Sequence, residues 1–239
     1  MIELLKLNQP HNSVEGVLGC GEALLGVLDP KYAYHCPAHS IAVKGFVDDY
    51  IKWNASDKRP LHEPRLKEWE WTSLRIAAMF HDLGFLDSPV HNEGIGTAYA
   101  MAAMANLSET HGDFADTIKN EVAKYILTTA RLNVPVDRRQ AIILDADMVH
   151  VGAPDPAEFL MWNKRLRDEY EALGRIYGNK EWLDAQVAFL SKVKFRTAYA
   201  KEIGMDKNLK ANIKALKKHL GADLHIGIAR ERNRIAGIK

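Results

Sequence analysis

Along this chain, stretches whose apolar residues recur at three- and four-residue steps are separated by short polar interruptions. Leu74 to Phe80, Gly94 to Leu107, Ala115 to Ala130, Pro156 to Leu173 and Leu209 to Leu220 all carry that spacing, which gathers the apolar side chains of each stretch onto one side of an α-helix. No stretch of comparable length alternates strictly between apolar and polar residues, as a half-buried strand would. Turn chemistry falls between the periodic stretches, at Asp29-Pro30, Asn133 to Pro135, Gly152 to Pro156, Gly178-Asn179 and Gly221. Ser108-Glu109 and Asp155-Pro156 carry the side chains that open helices. The pattern predicts an all-α fold, a single-domain helical bundle spanning residues 1–239.

Two segments stand apart. Residues 54–71 are polar and hold Pro60 and Pro64 between two helical patterns, which predicts a surface loop or insertion, a candidate lid. From Lys201 onward there are 10 Lys+Arg against 4 Asp+Glu in a chain whose formal charge is only +1. Residues 221–239 thus form a basic C-terminal tail, most simply a solvated helix face, and the overall charge predicts no general attraction to nucleic acid. With 47% hydrophobic and 26% charged residues and a mean hydropathy of -0.25, the chain has material for a core and is unlike a disordered polymer. No apolar run reaches the roughly 20 residues of a membrane span, so no membrane partner is expected. The opening residues lack the basic stretch and apolar core of a secretory leader, and a cytoplasmic location is the expectation. Cys20 and Cys36 are too few for a disulfide framework or a cysteine-based zinc site.

Chemistry enters with His81-Asp82, which closes the apolar stretch Leu74 to Phe80. A carboxylate at the end of a buried helix costs several kcal/mol unless a cation or a dense set of donors meets it. A bound metal meets it, and so does a structural imidazole-carboxylate pair. Upstream, Tyr34-His35-Cys36-Pro37-Ala38-His39 sets two histidines four residues apart. On one helix they would share a face; with Pro37 in the first turn, His35 instead precedes the helix. Downstream, Asp145 and Asp147 lie two apart in an apolar helix, about 200° around its axis from each other, so at most one faces a given pocket.

The order H, HD, D resembles the HD superfamily of metal-dependent phosphohydrolases, whose helical fold gathers these side chains around a divalent cation. The resemblance implies His39, His81, Asp82 and Asp147 as metal ligands, the last favoured over Asp145 by its Ala146-Asp147-Met148-Val149 context. It extends to a less characterised group of HD phosphohydrolases with an Asn-Glu pair after the HD motif. The corresponding stretches are Ala77 to Asp82, Asn92-Glu93, Asp145 to Gly152, Arg167 to Tyr170, Phe189 to Thr197 and Asn208-Leu209, so the likeness covers most of the chain from Tyr34 to Leu220. Gly84-Phe85 and residues 54–71 have no counterpart there.

What the family implies is hydrolysis of a small phosphorylated substrate, a nucleotide or other metabolite, by a metal-activated water. Manganese, iron, nickel, cobalt, magnesium and zinc all suit a mixed imidazole and carboxylate set. Asp82 would both bind the metal and orient the water. His35, in its Tyr-His-x-x-x-His context, resembles the proton-donating histidine of cyclic-nucleotide phosphodiesterases. Glu93 is a candidate to activate water or hold a second metal, or else it supports the helix beginning near Gly94. An alternative is a dinuclear iron oxygenase of the same fold, which would draw on His91 and a second histidine; beyond His91 only His111 is available, with Thr128-Thr129 where that second one is expected. A non-catalytic nucleotide sensor is a further alternative. Lys44, Arg75 and Arg131 are candidate phosphate-binding bases; His62, His150, His219 and His225 match no motif. The five tryptophans read as packing anchors and Cys36 as a small packed residue.

Overall fold

A computed structural model describes residues 9–130 and 134–235, with side chains described as far as residue 221. The all-α expectation holds: eleven α-helices and a 3-10 turn make up the described secondary structure, with no strand among the described residues. They divide into two compact units, the first formed by residues 9–149 with Arg196–Tyr199, the second by His150–Phe195 and the residues from Ala200 on.

The first unit is built on α3 (Glu68–Phe80), against which α1 (Val14–Leu25), α2 (Pro37–Ala55), α4 (Asn92–Ala103), α6 (Phe114–Thr128) and α7 (Arg138–Asp147) all pack. The short α5 (Ser108–His111) leads into α6. The sequence places α3 at the centre because its last nine residues are buried almost all round: Leu74, Ile76, Ala77, Ala78 and Phe80 have no exposure. Arg75 is the exception, reaching out to Asp48 at 3.0 Å and Glu15 at 3.4 Å. Ala77 and Ala78 occupy little space, so neighbouring helices approach closely on two sides.

Helix starts follow their side chains. Ser13 Oγ accepts from Gly16 N–H at the head of α1, and Pro37 occupies the first turn of α2, where its missing N–H costs nothing. At α7, Asp137 and Gln140 cap each other: the Asp137 carboxylate accepts from Gln140 N–H at 3.0 Å and the Gln140 side chain accepts from Asp137 N–H at 3.3 Å. Partial burial pushes the Asp137 carboxyl up, but Lys124, the Gln140 N–H and Arg139 outweigh it and hold it down at about 2. A carboxyl depressed in the folded state contributes stability above its unfolded value and loses it as pH falls through the folded one. Asp137→Ala is therefore expected to lower stability by about 1 kcal/mol near neutral pH. In thermal melts the gap to wild type should shrink between about pH 4 and about pH 2; a gap independent of pH would contradict this account.

Residues 54–71 are only partly the loop the sequence predicts. Asn54 and Ala55 end α2, and Glu68 to Trp71 already form the first turn of α3, where the Glu70 carboxylate accepts from Lys67 N–H at 2.7 Å. The loop between is pinned in its second half. Asn54 receives the Leu66 N–H at 2.7 Å and donates to the Pro64 carbonyl at 3.2 Å, while Tyr50 donates its hydroxyl to the buried Glu63, which also pairs with Arg138.

In the second unit α8 (Pro156–Ala172) and α9 (Asn179–Leu190) pack on α11 (Met205–Ile235). Asp155 caps α8 by accepting from Ala157 N–H at 2.8 Å. Three of the buried side chains of this unit are linked: Trp182 Nε1–H donates to Asn163, whose amide nitrogen donates to Gln186. His150 is buried and stacks on Trp162 with centroids 3.6 Å apart. The turn predicted at Gly221 does not form; the α11 backbone passes through it, since one interior glycine weakens a helix by only about 1 kcal/mol. The short α10 (Ala198–Glu202) precedes α11. No helix among the described residues is long and apolar enough to cross a membrane.

Candidate metal centre

Three helix ends bring the site together. His39 stands in the first turn of α2, His81 and Asp82 directly follow the last residue of α3, and Asp147 is the last residue of α7. His39, His81 and Asp82 are buried and Asp147 nearly so. The ligand atoms of His39, His81 and Asp147 all lie within 4.8 Å of one another, a group that can hold a metal ion. Their nitrogens face inward: His39 Nε2 is 3.4 Å from His81 Nε2 and 3.2 Å from Asp147 Oδ1, which is 3.5 Å from His81 Nε2. Asp82 is not among the three mutually close ligand groups, but its Oδ2 lies beside them, 3.0 Å from His81 Nε2 and 3.4 Å from His39 Nε2.

The protonation of this cluster follows from its neighbours. His81 Nδ1 lies 2.9 Å from the Ala78 carbonyl oxygen, which can only accept, so Nδ1 carries a proton and Nε2 is aimed at the other three groups. Burial would lower His81, but Asp82 and Asp147 outweigh it and raise the imidazole well above its ordinary range. Burial likewise works to raise both carboxyls. His81, His35 and His39 hold Asp82 below the usual carboxylate range, and His39 and His81 do the same for Asp147. Asp82 Oδ2, fully enclosed, accepts no well-directed hydrogen bond. The two imidazole nitrogens and the part-buried Asp147 carboxylate make a donor set that could hold a divalent cation.

Each remaining candidate has a definite place. His35 precedes α2 and does not share a helix face with His39; it lies against Phe85, the rings stacked with centroids 4.1 Å apart at 15°. Its ring centroid is 6.2 Å from that of His39, the two planes nearly perpendicular, and it is half-buried. Glu93 is in the first turn of α4, outside the group of mutually close ligand atoms, and with its nitrogen turned toward Glu93 the Asn92 amide donates to the carboxylate at 2.8 Å. His91, immediately before α4, is exposed, with φ 61. His111 is in α5, beside Thr110 at 2.8 Å, and His62 and His219 are exposed. Lys44 and Arg75 both pair with Asp48, at 2.6 Å and 3.0 Å. Arg131 and the His225 side chain lie outside the described residues.

Asp145 faces away from the cluster and is fully used. Its carboxylate accepts from Arg196 N–H at 3.0 Å, from Thr197 N–H at 2.8 Å and from the Thr197 hydroxyl at 2.8 Å. That answers why two aspartates sit two apart: one belongs to the cluster and the other ties down residues 196–197. The sequence marked the stretch that ends in Thr197 but gave no sign that it pairs with Asp145, some 50 residues away. The Ala78 carbonyl also escaped the reading of the sequence, although its position three residues before His81 is where a histidine ending a helix can reach back.

Comparisons of the chain with protein-family models, with curated proteins and with solved structures returned no match. The description that holds on the observations above is an all-helical chain with a His39, His81 and Asp147 group able to hold a metal ion.

Proposed function

We propose that the chain is a metal-dependent phosphohydrolase of the HD type, hydrolysing a phosphate ester of a nucleotide or another small metabolite. The observation that carries the reading is the buried cluster of His39, His81, Asp82 and Asp147, in which Asp82 Oδ2 lacks a directed donor. When bound, a divalent ion supplies a water of lowered pKa and polarises a phosphoryl oxygen. The chain's own residues do the rest. His81 is held in one orientation by the Ala78 carbonyl. Asp82 accepts the proton of the attacking water and keeps its lone pair directed. His35, propped face-on against Phe85, donates a proton to the leaving oxygen.

The direct test is turnover of generic phosphate esters and a nucleotide panel by protein stripped of metal and reloaded with manganese. Release of phosphate by the loaded protein alone supports the proposal; no turnover with any divalent metal defeats it. Elemental analysis separates this reading from an iron oxygenase, which needs two irons per chain. The role of His35 makes its own demand. His35→Ala is expected to lower kcat by about a hundredfold while leaving metal content unchanged. Loss of metal in that variant would instead make His35 part of the binding set.

A further inference from the structure

We infer that Gly96 is a positioning residue for the metal ligands His81 and Asp82, acting with Gly84 as a clamp between α4 and the turn that carries them. The 3-10 turn Leu83–Leu86 follows directly on Asp82 and packs on α4. A Cβ at Gly96 would lie 2.6 Å from the Phe80 carbonyl oxygen, 3.2 Å from that of His81 and 3.4 Å from Gly84 N. A Cβ at Gly84 would overlap the Asn92 carbonyl at the start of α4. The segment from Phe80 to Gly84 is thus held on both sides of Asp82 by backbone-to-backbone contact with one helix. Backbone atoms cannot swing aside as a side chain can, so an added methyl must displace the turn by several tenths of an ångström.

Gly96 is buried in the interior of α4, where alanine would favour the helix. Glycine there is accounted for by this close approach. Nearby glycines are different: Gly94, in the same helix, is exposed and has nothing within 4 Å of where a Cβ would be. The first turn of α4 is also where the chain enters through His91 at φ 61, a conformation most side chains avoid, and where Asn92 is buried. The helix is therefore located by its N-terminal turn, and through Gly84 and Gly96 it locates the HD turn.

This inference rests on the metal site proposed above, and its test is arranged so that the two fail separately. Gly96→Ala is compared with wild type, with Gly94→Ala, and with Ala100→Gly, which weakens α4 without adding an atom near the turn. Cobalt titration followed by the d–d absorption of the loaded protein gives affinity and ligand geometry. Ring nitrogen NMR signals of the histidines in metal-free protein give the position of His81 without any metal. Gly96→Ala is expected to weaken cobalt binding about tenfold, alter the band and displace the His81 signals; the two controls should stay close to wild type. Wild-type affinity and band in Gly96→Ala, or an equal change in Ala100→Gly, overturns the clamp. If wild-type protein binds no cobalt, the metal reading fails, and the metal-free spectra decide the clamp: His81 signals displaced in Gly96→Ala alone uphold it, and unmoved signals overturn it.

Discussion

Asp82→Ala is expected to remove both metal and turnover. The carboxylate is buried among the imidazoles of His39 and His81, and the remaining group of two imidazoles and Asp147 keeps one negative charge against a divalent ion. Activity should fall on the order of 10²- to 10³-fold, the loss that follows removal of one preorganised electrostatic contact. A second reading does not depend on the substrate. A metal that binds only the folded protein raises its stability by about 2.7 kcal/mol at a hundred times its dissociation constant. Wild type should show that rise in melting temperature with manganese, and Asp82→Ala should show none. Full activity in Asp82→Ala, or an undiminished metal-dependent rise, would remove Asp82 from the site.

The second large effect separates two neighbours. Asp145→Ala is expected to cost about 3 kcal/mol of stability, because it leaves the N–H groups of Arg196 and Thr197 and the Thr197 hydroxyl without their acceptor. Asp145→Asn should cost far less. Burial pushes the Asp145 carboxyl up by more than Thr197 and Arg196 pull it down, so the charge itself is disfavoured there and a neutral amide keeps an oxygen for the donors. Asp147→Ala should do the opposite of Asp145→Ala: fold with little loss in metal-free denaturant titrations, yet bind no manganese. Equal stability losses at the two positions would mean that the division of labour drawn between them is wrong.

These two aspartates also mark how far the sequence could be read. Their angular separation on α7 said that one needed a separate explanation, but only the fold names Arg196 and Thr197, because hydrogen bonding across about fifty residues leaves no local periodicity. His81-Asp82 was visible because the last turns of α3 are apolar and buried apart from Arg75, so an ionic pair at their end stands out. His39 was legible only through the resemblance to the H, HD, D order, while Pro37 placed the start of α2 and left His35 before it. Element ends were less so. Residues 68–71 read as loop because they close a polar stretch with two prolines, yet Glu68 and Glu70 suit a first helical turn whose N–H groups need acceptors. Gly221 read as a stop because glycine is weighed locally, while a helix of this length tolerates it. Gly84 and Gly96 carried no local signal, since the close approach they permit is between segments and not within one.

The four residues Arg196–Tyr199 belong to the first unit, although the 46 residues before them belong to the second. For a chain made from its N-terminus, the unit that carries the candidate metal centre stays incomplete on the ribosome until Tyr199 has emerged, long after Asp147 is available. Until then the carboxylate of Asp145 has none of the donors that hold it in the finished protein. The closing of this unit is thereby tied to a contact of high sequence separation, that of Asp145 with Arg196 and Thr197.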